Sequence, residues 1–257
     1  MAVRDFGRVA DIYDATRAIP EAEMGLLVKA MRGRIPGRGP LIDVGVGTGR
    51  FASPLQALGV EVVGIDVSRG MMAKAVEKGL PRLLYADVRR IPFRDDSFEA
   101  ALLVHVLHLV DDWPLVVRES ARVARRSVLS VVETKEGTDL RDEYLEMRRQ
   151  LGYPLVRFED GERGLMQRVA PRELVLVAEA KGVTVADDEI RHLRERGQSL
   201  TWDTPEEIHQ RIIEKLTSSH AGKSYPTRGR IELATWSAEA LRSADLGRWA
   251  RVRPERS

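Results

Sequence analysis

Leu41-Ile-Asp-Val-Gly-Val-Gly-Thr-Gly-Arg-Phe51 is the stretch that decides the fold. A short apolar run ends in three glycines at alternate positions, Gly45, Gly47 and Gly49, and a helical pattern follows from Phe51 to Leu58. Glycine lets the chain turn sharply and lets a ligand approach the backbone. The helix start behind such a turn presents free N–H groups and a partial positive charge. A dinucleotide fingerprint would need its third glycine at position 50, where Arg50 stands.

Working outward, short apolar runs alternate with helical patterns. Val60–Ile65, Arg82–Tyr85, Phe98–Val104 and Ser127–Val132 read as buried strands. Ser68–Lys78 and Pro114–Val123 read as helices between them, with Ser68 as an N-cap. Alternation of this kind predicts an α/β, doubly wound, mostly parallel sheet with helices on both faces. The later chain is less regular. Pro171–Lys181 reads as a helix stopped by Gly182, Val183–Leu193 as a strand, and Thr204-Pro-Glu-Glu207 as a capping box opening another helix. Ala221–Arg230 reads as a loop, Ile231–Leu241 as a helix and Arg248–Arg253 as a last strand; Glu21–Met31 is an amphipathic stretch near the N-terminus.

Two acids stand at predicted strand tips. Asp66 closes Val62-Val-Gly-Ile-Asp66, where a carboxylate accepts from a ribose diol. Asp87, in Tyr85-Ala-Asp-Val88, is placed to accept from an adenine amino group, with the Val88 N–H donating to the ring. Both converge on the carboxyl ends of the strands, near the switch point where open sheets bind ligands.

Asp43-Val-Gly-Val-Gly-Thr-Gly49, Gly64-Ile-Asp-Val-Ser68, Ala86-Asp-Val88 and Ile91-Pro-Phe-Arg-Asp-Asp-Ser-Phe98 together resemble the successive motifs of class I S-adenosylmethionine-dependent methyltransferases. The likeness is greatest to the small-molecule subgroup that includes ubiquinone- and menaquinone-type enzymes, and it covers roughly residues 41–133. It implies a Rossmann-like seven-stranded sheet with an antiparallel last strand, bound S-adenosylmethionine, and S-adenosylhomocysteine as product. By the same resemblance Gly45, Gly47 and Gly49 lie under the methionine part, and Asp43 orders that loop and faces the ammonium. Asp66 takes the ribose, with Val67 beside it; Met71 or Met72 lines the adenine; Asp87 and Val88 meet its edge. Val104 and His105 end the fourth strand beside the sulfonium, Tyr13 covers the cofactor from the N-terminal side, and Arg17 assists at the carboxylate. Two positions depart from the pattern: Ala124-Arg-Arg-Ser127 replaces a Pro-Gly-Gly turn, and Glu99 stands where Asp is usual.

Composition narrows the chemistry. The 257 residues include no cysteine, which excludes a thiolate nucleophile and thiolate metal sites, so methyl transfer must be direct. The 41 basic and 39 acidic residues nearly cancel, which demands no nucleic-acid partner. The longest apolar run, Ala100–Val110, is broken by His105 and His108 and is too short for a membrane span. The N-terminus shows no signal-peptide pattern, so the expected address is the cytoplasm. His105 is the candidate pocket residue and possible base, since histidine titrates near neutrality. Asp111-Asp112 reads as a helix cap before Trp113-Pro114, and no metal is expected.

The expected organisation is one methyltransferase domain over residues 1–257. Residues 1–40 form N-terminal helices and a lid, 41–133 the cofactor-binding half, and 134–170 and 197–246 cap insertions over the pocket of a small-molecule acceptor. Two other readings of the motifs are an NAD(P)-dependent oxidoreductase and a non-catalytic S-adenosylmethionine-binding module.

Overall fold

The computed structural model describes residues 6–16, 19–35, 37, 39–110, 112–153 and 161–247. Seven strands form one sheet: β1 (Leu41–Val44), β2 (Val62–Asp66), β3 (Leu83–Tyr85), β4 (Phe98–Leu103), β5 (Ala124–Gly137), β6 (Glu173–Val185) and β7 (Ser224–Ser237). Their order is β3-β2-β1-β4-β5-β7-β6. The pairs β1–β2, β1–β4, β2–β3 and β4–β5 are parallel, and the last strands run antiparallel. The chain steps from β1 outward to β3 and then returns to the other side of β1 with β4. The reversal opens a crevice at the carboxyl ends of β1 and β4.

Among the described residues ten helices accompany the strands: α1 (Ala10–Thr16), α2 (Glu21–Arg34), α3 (Ala52–Ala57), α4 (Arg69–Glu77), α5 (Trp113–Val123), α6 (Leu140–Gln150), α7 (Gly161–Arg168), α8 (Ala186–Arg194), α9 (Glu206–His220) and α10 (Ala238–Ser243). The chain divides into two compact units. The first holds residues 1–132, 158–178 and 232–257, and the second 133–157 and 179–231.

In the first unit β1 and β4 are buried along their whole length, as strands covered on both faces must be. Their side chains join Trp113, Val116, Val117 and Val123 of α5 in one apolar cluster. Asp112 starts α5 by accepting from the Leu115 N–H at 3.4 Å, while Pro114 takes a first-turn position that needs no donor. The two departures from the family pattern meet here: the buried Glu99 pairs with Arg125 at 2.7 Å and Arg126 at 3.2 Å. In the second unit α6, α8 and α9 share a core of Leu140, Tyr144, Ile190, Leu193, Ile212 and Leu216. Buried Arg148 is held there by Asp203 and by the Leu200 and Tyr153 carbonyls.

The later chain corrects four expectations. Residues 173–181 are part of β6 instead of a helix, although Glu, Leu, Ala and Lys favour helices. Pairing with β7 overrides that propensity, and ion pairs from Glu179 to Arg228 and Arg230 tie the two strands. Residues 186–194 are α8 instead of a strand: Ala186, Ile190 and Leu193 are buried at helical spacing, and acids in the first turn with bases in the last suit the helix dipole. Residues 224–230 belong to β7 instead of a loop, and 231–237 continue that strand before α10 begins. Leu233, Ala234, Thr235 and Trp236 are buried, and the Trp236 indole donates to the Val169 carbonyl at 2.8 Å. The expected caps differ too. Neither Ser68 nor Thr204 makes a side-chain capping bond; the N-cap of α9 is Pro205. Residues 248–253, Asp111 and Arg17 lie outside the described residues.

Candidate functional site

The turn after β1 is built by glycine at positions that tolerate nothing else. Gly45, with φ +81°, leaves β1 so close to the turn after β4 that a Cβ would lie 2.7 Å from Val106 Cγ2. Gly49, with φ +73°, is pressed against Ala75 of α4 and Leu80 beyond it: a Cβ would lie 3.3 Å from Ala75 Cβ and 2.4 Å from Leu80 Cδ1. The Gly45 and Val46 N–H groups both donate to the Ile65 carbonyl at 2.9 Å, which fixes the turn beside β2.

Asp66 organises the adjoining strand tip. One carboxylate oxygen accepts from the Gly47 N–H and the other from the Ser68 N–H, each at 2.8 Å. The carboxylate lines a cleft that is open to solvent. Each oxygen has acceptor capacity beyond one bond, so the group remains suited to hydroxyl donors of a ribose. Val67, Met71 and Val88 give the cleft an apolar wall, and Val104, His105 and Val106 form the wall at the end of β4. His105 takes φ +55°, a left-handed conformation uncommon outside glycine and more frequent for histidine than for most residues.

The N-terminal segment closes one side of the cleft. Phe6 and Tyr13 line it, with ring centroids 6.1 Å apart in an edge-on arrangement. Three polar contacts seat α1. Thr48 Oγ1, inside the glycine turn, donates to Asp14 at 2.6 Å; Lys74 of α4 pairs with Asp11 at 2.8 Å; and Lys78 pairs with Asp14. Gly70 permits the approach, since a Cβ there would lie 2.9 Å from Gly7 Cα.

Of the residues singled out in the sequence, Tyr13, Gly45, Gly47, Asp66, Val67, Met71, Val88, Val104 and His105 line the cleft. Four described residues do not. Asp43 is 4% exposed inside β1, where burial, with the Asp66 charge added, pushes its carboxyl up to about 7. It neighbours the loop and is not among the residues that line the cleft. Gly49 serves the packing of α4, and Met72 is half-buried outside the lining. Asp87 is held by Arg89, through its N–H at 2.9 Å and its guanidinium at 2.7 Å. That pairing outweighs partial burial and holds its carboxyl below the usual range. Phe6, Ser68, Val106, Leu109 and Val110 complete the lining, and of these only Ser68 lies in a motif. The Asp14–Thr48 bond was also missed. Its one sequence signal is that Asp14 adjoins Tyr13 and Thr48 sits between two motif glycines.

The glycine turn, the doubly bonded Asp66 and the apolar flank fit an adenosine-bearing cofactor. Known proteins agree. Residues 42–132 match the family model described as "Methyltransferase domain". The chain is 38% identical to a phosphatidylethanolamine N-methyltransferase of Cereibacter sphaeroides, over 34% of this chain and 46% of that protein. It is 33% identical to a demethylmenaquinone methyltransferase of Corynebacterium kroppenstedtii, over 48% and 54%. The chain spans about half the length of curated relatives of this kind. The crystal structure of the YcgJ protein from Bacillus subtilis has the same fold, with a TM-score of 0.54 at 20% identity, covering 84% of this chain and 98% of that one. Over residues 42–132, about a third of its length, the chain is similar to methyltransferase domains.

Proposed function

We propose that the protein transfers a methyl group from S-adenosylmethionine directly to a small-molecule acceptor. The observation that carries this reading is the Asp66 carboxylate, bonded to Gly47 and Ser68 while lining the cleft. Asp66 takes the ribose hydroxyls, Met71, Val67 and Val88 flank the adenine, and Gly45 and Gly47 leave room for the methionine part. Asp43 acts from behind the loop as a buried carboxyl, and Tyr13 with Phe6 covers the site. Val104 and His105 stand where the methyl group is delivered. The cofactor supplies an electrophilic methyl on a sulfonium. The chain's own work is alignment and exclusion of water, which supply most of the acceleration in an in-line displacement.

Relatives that act on menaquinone precursors and phospholipid headgroups support a small acceptor. No helix among the described residues is long and apolar enough to cross a membrane, and we place the enzyme in the cytoplasm. Calorimetry with S-adenosylhomocysteine tests the reading, followed by transfer of radiolabelled methyl into a panel of hydroxyl, amine and quinol acceptors. S-adenosylhomocysteine binds at micromolar concentration and NADH does not. Binding of NADH, or of neither, sinks the proposal, and binding without transfer to any acceptor favours a non-catalytic module.

A further inference from the structure

Glu162 lies outside every motif, yet the fold brings it to the two histidines at the end of β4. His105 lines the cleft, and a short turn of 3₁₀ helix, Leu107–Leu109, carries His108. The two imidazoles meet edge-on, with centroids 6.3 Å apart. The first turn of α7 sits directly on that 3₁₀ turn. Gly161 makes this possible: a Cβ there would lie 2.3 Å from Leu107 Cβ and 3.1 Å from the His108 nitrogen. The next residue, Glu162, thereby has one carboxylate oxygen 3.9 Å from His108 Nδ1. Its other oxygen is shielded from solvent, with no hydrogen-bond donor among the described residues. Burial alone would push this carboxyl up, but His108, with His105 adding to it, outweighs burial and holds it below the usual range. Glu162 is thus a sequestered anion that responds to both rings.

We propose that Glu162 is a positioning residue for a proton-accepting histidine pair, with His105 at the cleft and His108 behind it. The inference rests on the methyltransferase reading and narrows its acceptor to a protic one, with the attacking atom an oxygen or an activated carbon bearing hydrogen. As the new bond to the methyl carbon forms, the carbon–sulfur bond breaks and its electron pair stays on sulfur. The acceptor's proton passes to the imidazole of His105. The resulting imidazolium is compensated by the Glu162 carboxylate through His108, which costs no reorganisation because the charge is already in place. Two charged groups nearby have contacts of their own. Arg168 of α7 lies over the Trp113 ring at 5.0 Å and donates to the Gly164 carbonyl, and Asp112 caps α5. Asp66 and Tyr13 share the cleft with His105.

The test is a pH titration of histidine ring resonances in the full chain, wild type against Glu162→Gln, with S-adenosylhomocysteine binding measured on the same samples. In the variant the titration midpoints of His105 and His108 both fall by at least about half a pH unit, while that of His192 stays put. Glu162→Asp keeps the charge and restores most of the difference, which a purely structural role would not require. S-adenosylhomocysteine affinity changes less than twofold. Movement of His108 alone, or of neither ring, overturns the pair even though the cofactor binds. Absence of cofactor binding in the wild type sinks the underlying methyltransferase reading instead. With an acceptor in hand, Glu162→Gln lowers kcat at least tenfold with KM for S-adenosylmethionine unchanged; an unchanged kcat overturns the proposal.

Discussion

Strands β1 and β4 and strand β6 belong to one sheet but are made differently. The first two are 4 and 6 residues long and wholly buried. The third is 13 residues long, stands at the sheet edge and exposes Leu174, Leu176, Val183 and Val185. The difference teaches where stability and function reside. Buried strands fix the crevice by packing, so a charge or a cavity in them is costly. The long edge strand is held by its ladder and by ion pairs, so single side chains matter less.

The largest contrast concerns buried charge. Asp43 in β1 has its carboxyl raised to about 7 because burial disfavours the ionised form, whereas Glu179 in β6 is held below its usual range by Arg228. A group whose folded pKa exceeds its unfolded value lowers stability as pH rises between the two. For Asp43 the loss begins near pH 4 and is complete above about 7, reaching up to about 4 kcal/mol. Glu179 has the opposite sign: its contribution is present above the unfolded carboxylate range and is lost in acid. Denaturant melts from pH 4 to 8 should show Asp43→Asn gaining on wild type as pH rises. Glu179→Gln should fall below wild type at neutral pH and converge with it in acid. A pH-independent difference for Asp43→Asn would break the contrast.

Packing gives the next effect. Leu103→Ala, in fully buried β4, should cost about 3 kcal/mol through lost transfer energy and a residual cavity. Leu176→Ala, 46% exposed on β6, should cost under about 0.5 kcal/mol. Equal losses in urea titrations would mean that β6 is covered in solution.

The same division explains what could be read from the sequence. Residues 41–132 announce themselves because strands buried on both faces are continuous apolar runs, and because a glycine turn and tip acids recur at strand ends. Position, however, was more legible than orientation. Asp87 stands where the pattern expects it, but Arg89, two residues on, takes its carboxylate. Asp43 stands at the predicted strand, but β1 buries it. In the later chain a half-exposed strand such as Leu174–Lys181 carries helix-favouring residues, and only pairing with β7 decides for the strand. Glu162 had no local signal, since its contact with His108 follows from Gly161 meeting a turn more than fifty residues earlier in the chain.

Cofactor affinity is the third measure. Asp66→Ala removes the carboxylate that joins the glycine turn to the start of α4, leaving the Gly47 and Ser68 N–H groups without it. S-adenosylhomocysteine affinity should fall about thirtyfold, on the order of 2 kcal/mol, by calorimetry. Asp187→Ala, which removes a comparable bond to the Gly222 N–H in the second unit, should leave it unchanged. A loss from both variants would mean that the second unit contributes to the cofactor site.

The smallest effect separates two ways of seating the N-terminal helix. Asp11–Lys74 and Asp14–Lys78 are partly exposed ion pairs, which contribute little and are screened by salt. The Thr48–Asp14 bond is different in kind. Thr48 is 1% exposed, and its hydroxyl reaches from the glycine turn to the helix that carries Tyr13. Thr48→Val keeps the side chain's volume and removes only that donor. Its cost should be about 1 kcal/mol, seen as a roughly fivefold weaker affinity for S-adenosylhomocysteine that persists in 0.5 M salt. Lys74→Ala should change affinity less than twofold, and that change should vanish in salt. If the two variants instead share one salt-sensitive loss, α1 is held by charge alone, and its seating on the cofactor turn is no more specific than any surface contact.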